Sequence, residues 1–256
     1  MAFILAPMAM SLVQRGVPIR IVYLGHRDGT AMMVAADSAA RDLVDLRGER
    51  ILVPSRYSNQ YLWLARLLEE RGMTFDDVEV RECPPPDMPA MLESRRCAAY
   101  IVGEPFAART EFAGTGRVLY LTKDEWPDFI SCVVVAREEL IAANRALVQE
   151  LVDGIAGSGL WLDQAPEHRV QAAQVAGKYY YRQDPKLLQF VLEKPPDRVR
   201  YTDLAPLRAD FDEIMQLALR VGVLERPIAF EEYADTSFAA HFHGQILPMP
   251  PEDVRR

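Results

Sequence analysis

The chain has 256 residues, room for one or two domains with a sizeable core, and at 50% hydrophobic and 26% charged it has the balance of a globular protein. Its formal net charge of -8 argues against a nucleic-acid surface, which needs clustered Lys and Arg over phosphates. Cys83, Cys97 and Cys132 show no CxxC spacing, so they indicate neither a disulfide framework nor a zinc site and read as buried thiols or strand residues.

No apolar run approaches the roughly 20 residues of a membrane helix. The opening stretch "MAFILAPMAMSLVQRG" lacks the basic n-region and small-residue cleavage site of a leader, and predicts a core helix ending at Gly16. From residue 18 to 135 strand-like runs ("PIRIVYLG", "RILVPS", "DVEVREC", "AAYIVG", "RVLYL", "ISCVVVA") alternate with helical ones ("NQYLWLARLLEERG", "MPAMLESR", "PFAARTEF"). In the first of these helices Tyr61, Leu64, Ala65 and Leu68 recur at three- and four-residue steps, which puts them on one buried face, with Gly72 at the stop. Strands separated by helices imply right-handed crossovers and a parallel sheet, hence an α/β fold. After Arg137 the pattern is mostly helical, and Pro166, Pro185 and Pro206 stand where helices would begin.

Signals for catalysis are thin. "GIAGSG" (154–159) lies inside a helical stretch instead of after a strand, so it reads as closely packed helix backbone and not as a phosphate loop. His241 and His243 could point the same way on an extended segment, but no third metal ligand is indicated. No Ser or Cys sits in a nucleophile elbow. No cofactor is implied.

The signals for binding are better. In α/β sheets, ligands sit beyond the carboxyl ends of strands, near helix N-termini with free N–H groups. Three segments have that placement: "GHRDG" with His26 and Arg27, "PSRYSNQ" with Ser55, Tyr57, Ser58 and Asn59, and "GEP" with Glu104. Ser58 or Asn59 could equally be a helix N-cap. Glu104 could accept a hydrogen bond from a ligand, pair with an arginine to latch two lobes, or cap the helix that follows Pro105. Trp126 in "DEWPDF" could be an aromatic wall or a loop anchor.

The succession "LAPMAMSLVQRGVPIRIVYLGHRDGT", "DLRGERILVPSRYSNQ", "CPPPDMPAMLESRRCAAYIVGEPFAAR" and "VLYLTKDEWPDFISCVVVARE" resembles the substrate-binding proteins of nitrate, sulfonate, taurine and thiamine-precursor ABC importers. The resemblance runs to about Phe238, and "PPPDM" and "VGEP" are its most specific parts. It implies a periplasmic-binding-protein type II-like fold, two α/β lobes with parallel or mixed sheets flanked by helices, closing on a small ligand. Mapped here, lobe I spans 1–37 and 131–256 and lobe II spans 38–130, with crossings near Ala31–Ala35 and Ile130–Ala136. His26, Arg27, Ser55, Tyr57, Ser58, Asn59, Glu104 and Trp126 would line the cleft.

The resemblance further implies a small-molecule ligand, ABC permease and ATPase partners, and a periplasmic or extracytoplasmic location. Members carry a leader and a β-α-β unit ahead of the segment resembling Met1–Gly16, so about 30 residues or more of lobe I are expected to lie outside this chain. The ligand that the resemblance implies is a small organic molecule or an oxyanion (sulfonate, nitrate or pyrimidine-type), and Phe106, standing where nitrate and bicarbonate binders usually carry tryptophan, departs from the oxyanion pattern. The competing readings are a cytoplasmic ligand sensor of the same fold acting on a regulatory partner, and an enzyme such as the thiamine-pyrimidine synthase, which requires a cysteine cluster that this sequence lacks.

Overall fold

A computed structural model describes residues 1–179 and 183–241. The strands are β1 Ala2–Ile4, β2 Ile19–Asp28, β3 Thr30–Ala35, β4 Arg50–Val53, β5 Glu79–Glu82, β6 Ala99–Gly103, β7 Gly116–Leu121, β8 Ile130–Arg137 and β9 Val199–Arg200. The helices are α1 Ala6–Gln14, α2 Asn59–Glu70, α3 Met88–Glu93, α4 Ala108–Phe112, α5 Thr122–Glu125, α6 Glu138–Ala143, α7 Arg145–Gln164, α8 Pro166–Tyr179, α9 Pro185–Glu193, α10 Arg208–Arg220, α11 Phe230–Tyr233 and α12 Ser237–Ala240.

The strands form two sheets: a four-stranded one in the order β1-β8-β2-β9 and a five-stranded one in the order β5-β4-β6-β3-β7. In the larger sheet β4 pairs in parallel with β5 and β6, as strands joined through α2 and α3 must. There β3 runs antiparallel to both β6 and β7. The smaller sheet is antiparallel throughout, which departs from the parallel pairing that the helix–strand alternation predicts. The reason is that β2 and β8 are not joined by a single crossover helix but pair over long range, Ile19 opposite Arg137 through Arg27 opposite Ile130, with the whole larger sheet and its helices lying between them in the chain.

The chain leaves the smaller sheet at the end of β2 and enters the larger one at Thr30, with only Gly29 between them. Asp28 (φ 59°) and Gly29 (φ 69°) both adopt left-handed backbone, a conformation that glycine supplies without strain and aspartate tolerates. It returns between Leu121 and Ile130. Both passages therefore come earlier than the expected Ala31–Ala35 and Ile130–Ala136, which lie wholly inside β3 and β8.

Local departures have local causes. Residues 2–4 pair with β8 as strand β1, and Pro7 sits in the first turn of α1, where its missing N–H costs nothing, so one predicted helix is a strand and a shorter helix. Asn144 divides the long helical stretch after Arg137 and caps α7, accepting from Leu147 N at 3.1 Å. The helix after Pro206 begins at Arg208. The buried face of α2 comprises Leu62, Trp63, Leu64, Leu67 and Leu68, with Tyr61 and Ala65 only partly covered. One core cluster runs through both sheets, from Val22 and Leu24 in β2 to Ile51 and Val53 in β4, with Trp63 of α2 and Phe211 of α10 fully buried in it. Cys83 and Cys97 are buried free thiols, and Cys132 is a partly buried one in β8. His243 lies outside the described residues.

Candidate ligand-binding site

The strand β2 does not stop at Gly25 but runs through His26 and Arg27 to Asp28, with register shifts against β8 at Leu24/His26 and His26/Arg27. Such bulges re-aim side chains, and here they send two neighbours to different places. His26 turns to the wall of a cavity of about 230 Å³, with its Nδ1 buried and without a hydrogen-bond partner. Arg27 turns into the core, 2% exposed, donating from Nε to Asp203 O (2.8 Å), from Nη1 to Asp128 O (2.5 Å) and from Nη2 to Asp210 Oδ2 (2.7 Å). Gly25 permits the close approach that this path needs, since a Cβ there would lie 2.3 Å from Cys132 Sγ.

The second polar wall of the cavity comes from the other sheet. Strand β6 ends at Gly103, and the next residue, Glu104, donates its backbone N–H to Gly29 O (2.8 Å), stitching the two sheets together. Its carboxylate accepts from Arg198 Nε at Oε1 (2.6 Å) and from Ala108 N at Oε2 (2.9 Å). Arg198 also donates to Glu111 Oε2 (2.7 Å) and to Lys194 O (2.9 Å). Arg198 is 1% exposed and Glu104 5%, so the pair is a fully desolvated ionic latch, and the same carboxylate takes up an N–H of α4.

Electrostatics follow from burial. Burial pushes the Glu104 carboxyl above its ordinary value, against the downward pull of Arg198 and the Ala108 N–H. Burial disfavours the charge on Arg198, but Glu104 and Glu111 outweigh it and hold the guanidinium above its usual range. Burial lowers the His26 imidazole to about 4, so the ring is neutral at physiological pH, and it raises the Tyr201 phenol to about 12.

The remaining wall is apolar: Leu162 from α7, Ala173 and Ala176 from α8, Leu188 and Val191 from α9, and Val199 from β9. Gly159 lets α7 lie against the strand end, because a Cβ there would sit 2.9 Å from Tyr201 O. Helix α9 is braced on α4 by Phe190 against Phe112, edge to face at 5.6 Å.

The other residues singled out in the sequence are placed elsewhere. Ser58 is the N-cap of α2, accepting from Tyr61 N (3.1 Å) and donating to Ser55 O (2.5 Å). Ser55 Oγ accepts from Tyr57 N at 3.1 Å, and the Tyr57 hydroxyl accepts from Arg15 at 2.9 Å. Asn59 Nδ2 donates to Ile130 O across the sheets, leaving its buried Oδ1 without a partner. Trp126 donates to Glu213 Oε2 (3.1 Å) beneath the Arg66 guanidinium. Asn59 and Trp126 border a second cavity of only about 20 Å³, too small for more than a water. Of the eight residues, His26 and Glu104 converge on the cavity of about 230 Å³. Sequence reasoning missed Arg198, Tyr201 and the α8–α9 wall, for which the only signal was the apolar periodicity of "DPKLLQFVLEK". Among the described residues no group of three or more His, Cys, Asp or Glu could hold a metal ion, and no helix is long and apolar enough to cross a membrane.

The model of the NMT1-like family matches residues 1–177. The chain belongs to the NMT1-like family. This family member is similar to the nitrate/nitrite binding protein NrtA of Nostoc sp. strain PCC 7120, with 23% identity over 197 residues that make up 70% of this chain and 44% of the relative. It thus spans less than half the length of the curated relative it matches. Among solved structures it is similar to the zinc-bound ligand binding component of an ABC-type import system from Staphylococcus aureus, with 26% identity and a TM-score of 0.82, covering 95% of this chain and 81% of that one. It is also similar to the periplasmic nitrate-binding protein NrtA of Synechocystis PCC 6803, with 17% identity and a TM-score of 0.82, covering 93% and 72%. The desulfurization enzyme DSZB shares the fold at 19% identity and a TM-score of 0.66, covering 91% and 82%. The NMT1-like chain therefore has the periplasmic-binding-protein fold that its sequence resembles, a fold that carries mostly binding proteins and at least one enzyme.

Proposed function

We propose that this NMT1-like chain is the solute-binding component of an ABC importer, taking one small molecule into the cavity between His26 and Glu104 and presenting it to a permease and its ATPase outside the cytoplasm. The observation that carries this reading is the cavity of about 230 Å³ walled by strand ends from two different sheets, the placement at which α/β proteins hold ligands. On this reading each sheet is the floor of one lobe.

Among the described residues the cavity lining holds no Ser, Cys or Lys, and both oxygens of Glu104 are already engaged. The test is a thermal-shift screen of the full chain with nitrate, bicarbonate, ethanesulfonate, taurine, pyrimidines, flavins and small aromatic compounds. A ligand at a hundred times its Kd adds about 2.7 kcal/mol to the folded state. A saturable rise with one class supports the role; a folded chain whose melting temperature no compound raises refutes it.

A further inference from the structure

Resting on that reading of the cavity, we propose that its ligand is an uncharged, mostly hydrocarbon molecule, about the size of one substituted aromatic ring with a single hydrogen-bonding group, and not an oxyanion. Size is the first argument: a cavity of roughly 150 Å³ lined by apolar side chains stays dry and takes benzene, and this one measures about 230 Å³. Apart from His26, Glu104 and Tyr201, its lining is alanine, valine, leucine and proline.

Charge is the second. Among the described residues no Lys or Arg lines the cavity, and the described arginines beside it are answered from within the protein. Arg198 is held by Glu104 and Glu111, Arg200 by Asp28 (2.8 Å) and Asp128 (2.7 Å), and Arg27 by Asp210. The Ala108 N–H at the start of α4, which could have met an anion, is taken by Glu104. An anion entering here would lose its water, find no cation and face the Glu104 carboxylate. The imidazole of His26 adds no positive charge at neutral pH. The polar edge is narrow: the rings of His26 and Tyr201, 6.1 Å apart, stand on one side, which suits one hydroxyl on an otherwise apolar body.

The test varies charge on a constant ring. The full chain is titrated by calorimetry with benzyl alcohol, benzoate, benzenesulfonate and nitrate, and the same titrations are run on Ala176→Phe, which fills the cavity from α8. Ala173→Leu serves as a second, milder filling variant, and circular dichroism checks that each variant is folded. Benzyl alcohol is expected to bind saturably and at least about 100-fold more tightly than either anion of the same ring, the scale set by an uncompensated like charge. Both filling variants are expected to lose that binding. Benzoate, benzenesulfonate or nitrate binding as tightly as the alcohol would overturn the ligand class and leave the solute-binding role standing. Binding of the alcohol that survives in the folded variants would overturn the assignment to this cavity. Binding of none of the four, with other solutes raising the melting temperature, would overturn the inference alone; with none doing so, both fall.

Discussion

Replacing Arg198 by methionine tests whether the latch between the two sheets is as dry as its burial implies. The substitution keeps much of the aliphatic bulk but removes the donors to Glu104 Oε1 (2.6 Å), Glu111 Oε2 (2.7 Å) and Lys194 O (2.9 Å). Glu111 is partly exposed and finds water, whereas Glu104, at 5% exposure, keeps only the Ala108 N–H. Removing one partner of a buried pair costs about 3–5 kcal/mol. In a chain of this size that is a drop of roughly 6–20 °C in melting temperature. The cost has a pH signature with a definite sign. Without Arg198, burial and the Glu111 charge outweigh the remaining Ala108 N–H and hold the folded-state pKa of Glu104 above the unfolded value of about 4.3. The variant is then penalised increasingly as pH rises through that folded pKa, and the penalty fades toward the unfolded value, by at most about 1.4 kcal/mol per pH unit. Urea unfolding followed by tryptophan fluorescence at pH 5 and pH 8 measures both quantities. The double variant Glu104→Gln/Arg198→Met should recover most of the loss, because no charge is left buried. A single-variant deficit below about 1 kcal/mol, the same at both pH values, would refute the account of a desolvated latch.

Three further outcomes follow from other sites. His26 titrates near 4 instead of 6.5, so between those values the unfolded chain takes up a proton that the folded chain refuses. Stability should be lost as the pH is lowered from 6.5 to 4, by at most roughly 3 kcal/mol and less because the ring is partly exposed at the cavity; proton NMR of the ring reads the pKa, and His26→Gln should flatten the dependence. Gly159→Ala drives a Cβ to within 2.9 Å of Tyr201 O, which should cost about 1–3 kcal/mol by overpacking; a neutral result in chemical denaturation would mean that α7 has room to retreat. Ser58→Ala should lose about 1 kcal/mol from the N-terminus of α2 while leaving the affinity for any cavity ligand unchanged, and a fall in affinity measured by calorimetry would return Ser58 to the site.

The parallel part of the larger sheet was legible because the apolar runs of β4 and β6 and the alternating edge strand β5 are joined by helices, a rhythm that parallel pairing serves, whereas the antiparallel β3 and β7 carried no such mark. The smaller sheet was not, because "PIRIVYLG" and "ISCVVVA" pair across more than a hundred residues and a strand carries no mark of its distant partner. Glu104 was legible as a strand-end acid with three possible uses, and it serves two of them, latch and cap. Arg198 was invisible for the opposite reason: one of two arginines after two prolines and an aspartate in "EKPPDRVRY" looks like solvated charge, and only the fold brings it to Glu104. The Gly-rich "GIAGSG" was readable as packed helix backbone, and Gly159 against Tyr201 gives the physical reason. Arg27 was expected in a loop facing a cleft, but bulges displaced the register by a residue and turned it inward, a change that no propensity scale records.

The connection between β2 and β3 is one residue long, Gly29, and that brevity governs how the two halves can move. An extended residue spans at most about 3.6 Å, so there is no slack for one sheet to slide along the other. What remains is rotation about the few backbone torsions of Asp28 and Gly29, while the longer return between Leu121 and Ile130 pays out chain as the angle changes. Gly29 is therefore a joint with almost no length of its own, and the Glu104 N–H bound to its carbonyl (2.8 Å) ties the end of β6 to the same point.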